Sequence, residues 1–132
     1  MSRKKHVLTE LGCEDVQAIQ NKLFSNKQIL LIKFTADWCG PCKRIKDDCY
    51  NMFNELPDNI IVADLNIDVG KNIELYKLLK RKRQVNGIPT ILTWYPDNDR
   101  SFWYVPDKYI VGGDINLIKE FLTTVYKDSV NI

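Results

Sequence analysis

Histidine is nearly missing from this chain of 132 residues, which has only His6. Cysteine is sparse as well, at positions 13, 39, 42 and 49. A structural zinc site takes four ligands, usually as two spaced pairs. Here one Cys-x-x-Cys pair stands alone, with no second pair and with His6 far away in sequence, so a metal site is not expected. No apolar run approaches the roughly 20 residues that a membrane-spanning helix needs. Net charge is only +2, too small to imply a polyanionic partner. The N-terminus carries Arg3, Lys4 and Lys5 without an apolar stretch behind them, so no secretory leader is expected. An intracellular, cytoplasmic and reducing setting follows as the expectation. There, four cysteines do not make a structural disulfide framework, and a close pair points to redox chemistry or metal binding.

Apolar residues make up 45% of the chain and charged residues 27%, a globular balance. A chain of this length buries enough apolar surface to fold without staples. No repeat, low-complexity stretch or linker divides it, so one domain over 1–132 is expected. Val16, Ile19, Leu23 and Phe24 recur at helical spacing and predict a helix over 13–26. The run from Gln28 to Thr35 is short, apolar and branched, and reads as a buried strand. Cys42, Ile45, Cys49, Phe53 and Leu56 share one helical face, giving a helix over about 41–56. A second buried strand follows over 59–67, a shorter helix over 73–82, and a strand over 90–95 with Pro89 at its threshold. Residues 101–111 read as another strand. Ile118, Phe121, Leu122 and Val125 mark a last helix, capped by Asp114. The pattern predicts an α/β fold, a central mixed sheet of about five strands flanked by about four helices.

Trp38-Cys39-Gly40-Pro41-Cys42 falls between a predicted strand and a predicted helix. Cys39 then lies at a helix N-terminus, where unpaired N–H groups and the dipole favour a thiolate. The thiolate is the nucleophile, so a lowered pKa raises its reactive fraction near neutral pH. Pro41 is tolerated in a first helical turn. Cys42, three residues on, is placed to attack a mixed disulfide formed by Cys39. The pair reads as a redox-active couple, Cys39 attacking and Cys42 resolving, with no bound cofactor.

With this motif in place, the sequence resembles the thioredoxin family. The resemblance rests also on the preceding run Leu-Leu-Ile-Lys-Phe-Thr-Ala-Asp37, on Leu65-Asn-Ile-Asp68 and on Gly87-Ile-Pro-Thr90. Val111-Gly112 and Ile118-Lys-Glu-Phe-Leu122 complete it, in the family's order, over roughly 7–127. It implies the thioredoxin fold and the reduction of protein disulfides. It implies that Pro89 is the family's cis-proline beside the cysteines, leaving the Ile88 backbone free to pair with an extended substrate. Trp38, Gly40, Pro41, Ile67, Gly87, Ile88, Val111 and Gly112 would then form the substrate groove around Cys39. The implied partners are disulfide-containing proteins and, as electron donor, an NADPH-dependent flavoprotein disulfide reductase.

The chain departs from the family at a buried charge. Where the family usually carries an aspartate before the Cys-x-x-Cys, this chain has Lys33; where a lysine is common on the neighbouring strand, it has Asp64. A buried charge needs a partner. The expectation is a Lys33–Asp64 pair in swapped order beneath the active site, both residues acting in catalysis. The alternative has Lys33 reaching solvent with only its stem packed. A cation near Cys42 favours thiolate forms and makes a disulfide more oxidising, which keeps a disulfide oxidant or isomerase open as a rival function. A second rival is a binding module using 96–109, where Phe102, Trp103, Tyr104 and Tyr109 lie among Asp97, Asn98, Asp99 and Arg100. The basic run Lys77, Lys80, Arg81, Lys82 and Arg83 reads as a solvated helix end. Cys49 reads as a small buried hydrophobe. Cys13 starts the first helix, and His6, in an N-terminus expected to fray, has no assigned role.

Overall fold

The computed structural model describes residues 4–96 and 99–132. Its elements run β1 (Val7–Leu8), α1 (Cys13–Asn26), β2 (Ile29–Thr35), α2 (Gly40–Asn54) and β3 (Ile60–Asn66). They continue as α3 (Asn72–Arg81), β4 (Thr90–Trp94), β5 (Lys108–Val111) and α4 (Ile115–Val130). The five strands form one sheet in the order β1-β3-β2-β4-β5. β1, β3 and β2 run parallel, while β4 and β5 join antiparallel. Parallel pairing requires crossovers, and α1 and α2 supply them.

Side chains alternate across each strand and so feed two cores. Leu30, Ile32 and Phe34 of β2, with Leu65 and Leu92, pack against Val16 and Leu23 of α1 and Leu75 and Leu79 of α3. Ile29 and Leu31, with Ile60, Val62 and Ile91, pack against Ile45, Cys49 and Phe53 of α2 and Ile118, Leu122 and Val125 of α4. Lys33 falls on this second face by parity. Asp114 caps α4 as expected: its Oδ1 accepts the N–H groups of Asn116 and Leu117 at 3.0 and 3.3 Å.

One expectation is corrected: where it is described, the segment before α1 is not frayed. Val7 and Leu8 pair with Val62 and Ala63, and the Lys5 N–H donates to Asn54 at 2.9 Å. The strand expected within residues 101–111 is Lys108–Val111. The Asp107 carboxylate accepts the Tyr95 N–H and binds the Arg100 guanidinium, and residues 101–104 form bends and turns. Trp103 and Tyr104 pack against the α1–α3 core, whereas Phe102 and Tyr109 are exposed. Asp97, Asn98 and Arg3 lie outside the described residues.

Candidate active site

β2 ends at Thr35, and the chain turns into α2 with Cys39 as N-cap, in extended backbone at φ −87° and ψ 109°. Cys39 Sγ accepts the Cys42 N–H at 3.2 Å, as a capping oxygen would. Cys39 and Cys42 are joined by a disulfide, with their Cα atoms 5.2 Å apart. Pro41 occupies the first turn, where its missing N–H removes no helical bond. Both cysteines are buried, Cys39 at 4% exposure and Cys42 at 1%.

Two further loops meet this turn. The Ile88–Pro89 peptide bond is cis, and the Ile88 carbonyl oxygen lies 3.9 Å from Cys39 Sγ. Gly87, just before it, has φ +128°, which favours glycine. The Gly112 N–H donates to the Pro89 carbonyl at 2.9 Å, tying the β5–α4 turn to the proline. Ile67 and Ile88 pack on Ala36 and the two cysteines. Trp38 and Val111 are 67% and 55% exposed. The Trp38 ring is held by Nε1 donating to Asp68 at 2.8 Å. Of the expected groove residues, Ile67 and Ile88 thus touch the disulfide, and Gly112 is linked to it through Pro89.

Beneath the disulfide, Lys33 and Asp64 face each other in register across β2 and β3, with Nζ 3.1 Å from Oδ1. Lys33 is 0% exposed, so its cation does not reach solvent. The other carboxylate oxygen accepts the Tyr50 hydroxyl at 2.8 Å. Burial first, then the bond to Asp64, push the Tyr50 phenol well above its ordinary pKa. A cleft of about 580 Å³ opens here, with Cys42, Tyr50, Asp64 and Lys46 among its lining residues. Among the described residues, no group of three or more His, Cys, Asp or Glu is placed to hold a metal ion. Nor is any helix among them long and apolar enough to cross a membrane.

Other singled-out residues lie apart from this assembly. The basic run ends α3 with its side chains in solvent, except that Lys82 Nζ sits 5.3 Å from the Tyr104 ring centre. Cys49 is buried in the α2–α4 core, and burial pushes its thiol up to about 11. Cys13 is half-buried at the start of α1, and His6 is exposed. Sequence reading missed Tyr50 and Asp68. Asp68 stood within a quoted motif, but nothing in the spacing marks it as the anchor of a ring thirty residues earlier. Tyr50 carried no signal beyond being a polar aromatic on a helix.

The family model described as Thioredoxin matches residues 13–108. The chain is 30% identical over 73 residues to Thioredoxin-T of Drosophila melanogaster, covering 55% of this chain and 43% of that one. It is 34% identical over 80 residues to a protein disulfide-isomerase of Saccharomyces cerevisiae, covering 61% and 23%. With a thioredoxin of Thiocapsa roseopersicina it shares 32% over 75 residues, covering 57% and 76%. The matches thus span less than half the length of the first two curated relatives. Among solved structures, thioredoxin from Trypanosoma brucei brucei superposes with a TM-score of 0.68 at 21% identity, covering 96% of each chain. A poplar thioredoxin h gives 0.68 at 18% identity, covering 92% and 96%. At these identities the superpositions speak for the fold, a five-stranded mixed sheet with four helices. The family match over most of the chain, on that fold and around a Cys39–Cys42 disulfide, makes this chain a member of the thioredoxin family.

Proposed function

We propose that the protein reduces disulfides in other proteins, with Cys39 as nucleophile and Cys42 as resolving thiol. One observation carries this reading. Cys39 Sγ caps α2 and accepts the Cys42 N–H at 3.2 Å, so a helix N-terminus is aimed at the sulfur that must become a thiolate. The thiolate attacks a substrate disulfide and forms a mixed disulfide. Cys42 then attacks Cys39, and the substrate leaves as a dithiol. The Ile88 backbone beside cis-Pro89 pairs with an extended substrate segment. Trp38, Ile67, Ile88 and Val111 give it apolar contact, and Gly40, Pro41, Gly87 and Gly112 leave room for its backbone. Asp64, held by Lys33, accepts the proton that Cys42 gives up. The oxidised pair is returned to dithiol by an NADPH-dependent flavoprotein reductase in the cytoplasm, and the protein carries no cofactor of its own.

The opposite electron flow, disulfide donation or isomerisation, is favoured by the buried Lys33 cation beneath the site. The reduction potential of the Cys39–Cys42 couple, measured in dithiol/disulfide buffers, separates the two. A value near about −270 mV supports the reductase, and one of roughly −180 to −120 mV supports the oxidant or isomerase. A couple that never forms a disulfide would sink both.

A further inference from the structure

Asp64 offers its two oxygens to two donors from different elements. Oδ1 takes Lys33 Nζ of β2 at 3.1 Å. Oδ2 takes the Tyr50 hydroxyl at 2.8 Å, and Tyr50 stands on α2, the helix that carries Cys42. A lysine ammonium has three donors on a compact charge. Facing a carboxylate with no other partner, it draws both oxygens toward itself. The Tyr50 hydroxyl prevents this by holding Oδ2 at the wall of the cleft that Cys42, Tyr50 and Asp64 line together. Asp64 pairs with Lys33, and the other charged groups lining the cleft are Lys43 and Lys46 against Glu10 and Asp37. The thiol of Cys49 senses both Lys33 and Asp64 from the core side of α2. Among the described residues, none of these groups takes the place of Tyr50 at Oδ2.

We propose that Tyr50 is a positioning residue for the resolving step: its hydroxyl keeps the Asp64 carboxylate turned to the cleft, where it takes the proton of Cys42. The inference rests on the dithiol-exchange reading given above. In the step, the S–H bond of Cys42 breaks and its proton passes through cleft water to Asp64. The electron pair left on Cys42 forms the Cys39–Cys42 bond. The bond from Cys39 to the substrate sulfur breaks, and its pair leaves with the substrate as a thiolate. No further oxidant or reductant enters.

The test uses reduced protein with Cys13→Ser, which removes the other accessible thiol, and the aromatic disulfide dithiobis(nitrobenzoate). Attack by Cys39 releases one coloured thiolate, and resolution by Cys42 releases the second, so stopped-flow absorbance times each cysteine separately. Tyr50→Phe keeps the ring and its edge contact with Phe53 but deletes the hydroxyl. It is expected to leave the first release unchanged, slow the second by about 3- to 10-fold, and move its pH midpoint upward. Asp64→Asn is expected to slow the second release at least as much. Adding Tyr50→Phe to Asp64→Asn is expected to slow it no further, because two residues acting through one proton acceptor are non-additive. A second release with the parent's rate and pH midpoint in Tyr50→Phe overturns the inference. So does equal slowing of both releases, or a slowing that persists undiminished beside Asp64→Asn, since each marks a packing role. A parent protein that gives neither release overturns the exchange reading itself, and this inference with it.

Discussion

Lys33 and Asp64 form a cross-strand ion pair between the two central parallel strands, 3.1 Å apart, with the lysine wholly buried and the carboxylate at the edge of the cleft. Removing one member of such a pair strands the other charge in the interior, whereas removing both does not. Lys33→Met alone and Asp64→Leu alone are each expected to lower the unfolding free energy by about 3–5 kcal/mol. The double variant is expected to recover most of that loss, the Tyr50 hydroxyl turning to cleft water. Urea unfolding at neutral pH checks this. Losses that simply add in the double variant would show that the two charges do not stabilise each other.

Cys42→Ser is expected to leave Cys39 able to attack and nothing able to resolve. Incubated with a disulfide-bonded protein, it accumulates as a covalent adduct visible by intact mass and reversible by dithiothreitol. Cys39→Ser forms no such adduct. If Cys42→Ser stays unmodified while Cys39→Ser is captured, the two roles are reversed.

Asp68 fixes the exposed Trp38 ring through one hydrogen bond at the surface. Asp68→Ala is expected to change stability by no more than about 0.5 kcal/mol. It is also expected to lower kcat/KM for a protein disulfide by about 2- to 10-fold, the equivalent of one lost hydrogen bond. Steady-state kinetics and Trp38 fluorescence anisotropy are the readouts. An unchanged kcat/KM with a freed ring would mean that ring orientation plays no part in turnover.

Burial above all, with Asp64 and Asp48 adding to it against the Lys33 cation, raises the Cys49 thiol from 9.0 to about 11. The native state therefore holds this proton to higher pH than the unfolded chain does. Its contribution is fully present below pH 9.0 and is lost as the pH rises toward about 11. The stability difference between the parent and Cys49→Ala is expected to narrow across that window in urea unfolding. Curves that stay parallel count against it. In the native protein at pH 8, Cys49 is expected to resist alkylation while half-buried Cys13 reacts.

Elements with a periodic apolar face were legible in the sequence, and those made by pairing alone were not. The first helix runs over 13–26 as its apolar spacing predicts, and Asp114 caps the last one. Lys33 and Asp64 were legible as a pair because the family resemblance marks both positions as buried charges; the structure adds that each continues the inward parity of its strand, after Ile29 and Leu31 and after Ile60 and Val62. β1 was not, since two residues are too few to show a period and become a strand only against Val62 and Ala63. The strand expected within 101–111 could not be bounded from the sequence, because the bonds of Tyr95 and Arg100 to Asp107 that precede it leave no period along the chain. Tyr50 and Asp68 act through single contacts across the fold, which no spacing along the chain records.

The pairing of Lys33 with Asp64 also limits how such a chain can change by descent. The reversed order, with the aspartate on β2 and the lysine on β3, lies two substitutions away, and each single step puts like charges side by side in the interior, two lysines or two aspartates. Either intermediate is penalised although both end points are sound. The two codons therefore behave as one inherited unit, crossed by paired change or through an uncharged stage, and a chain with either order is held on its own side of that barrier.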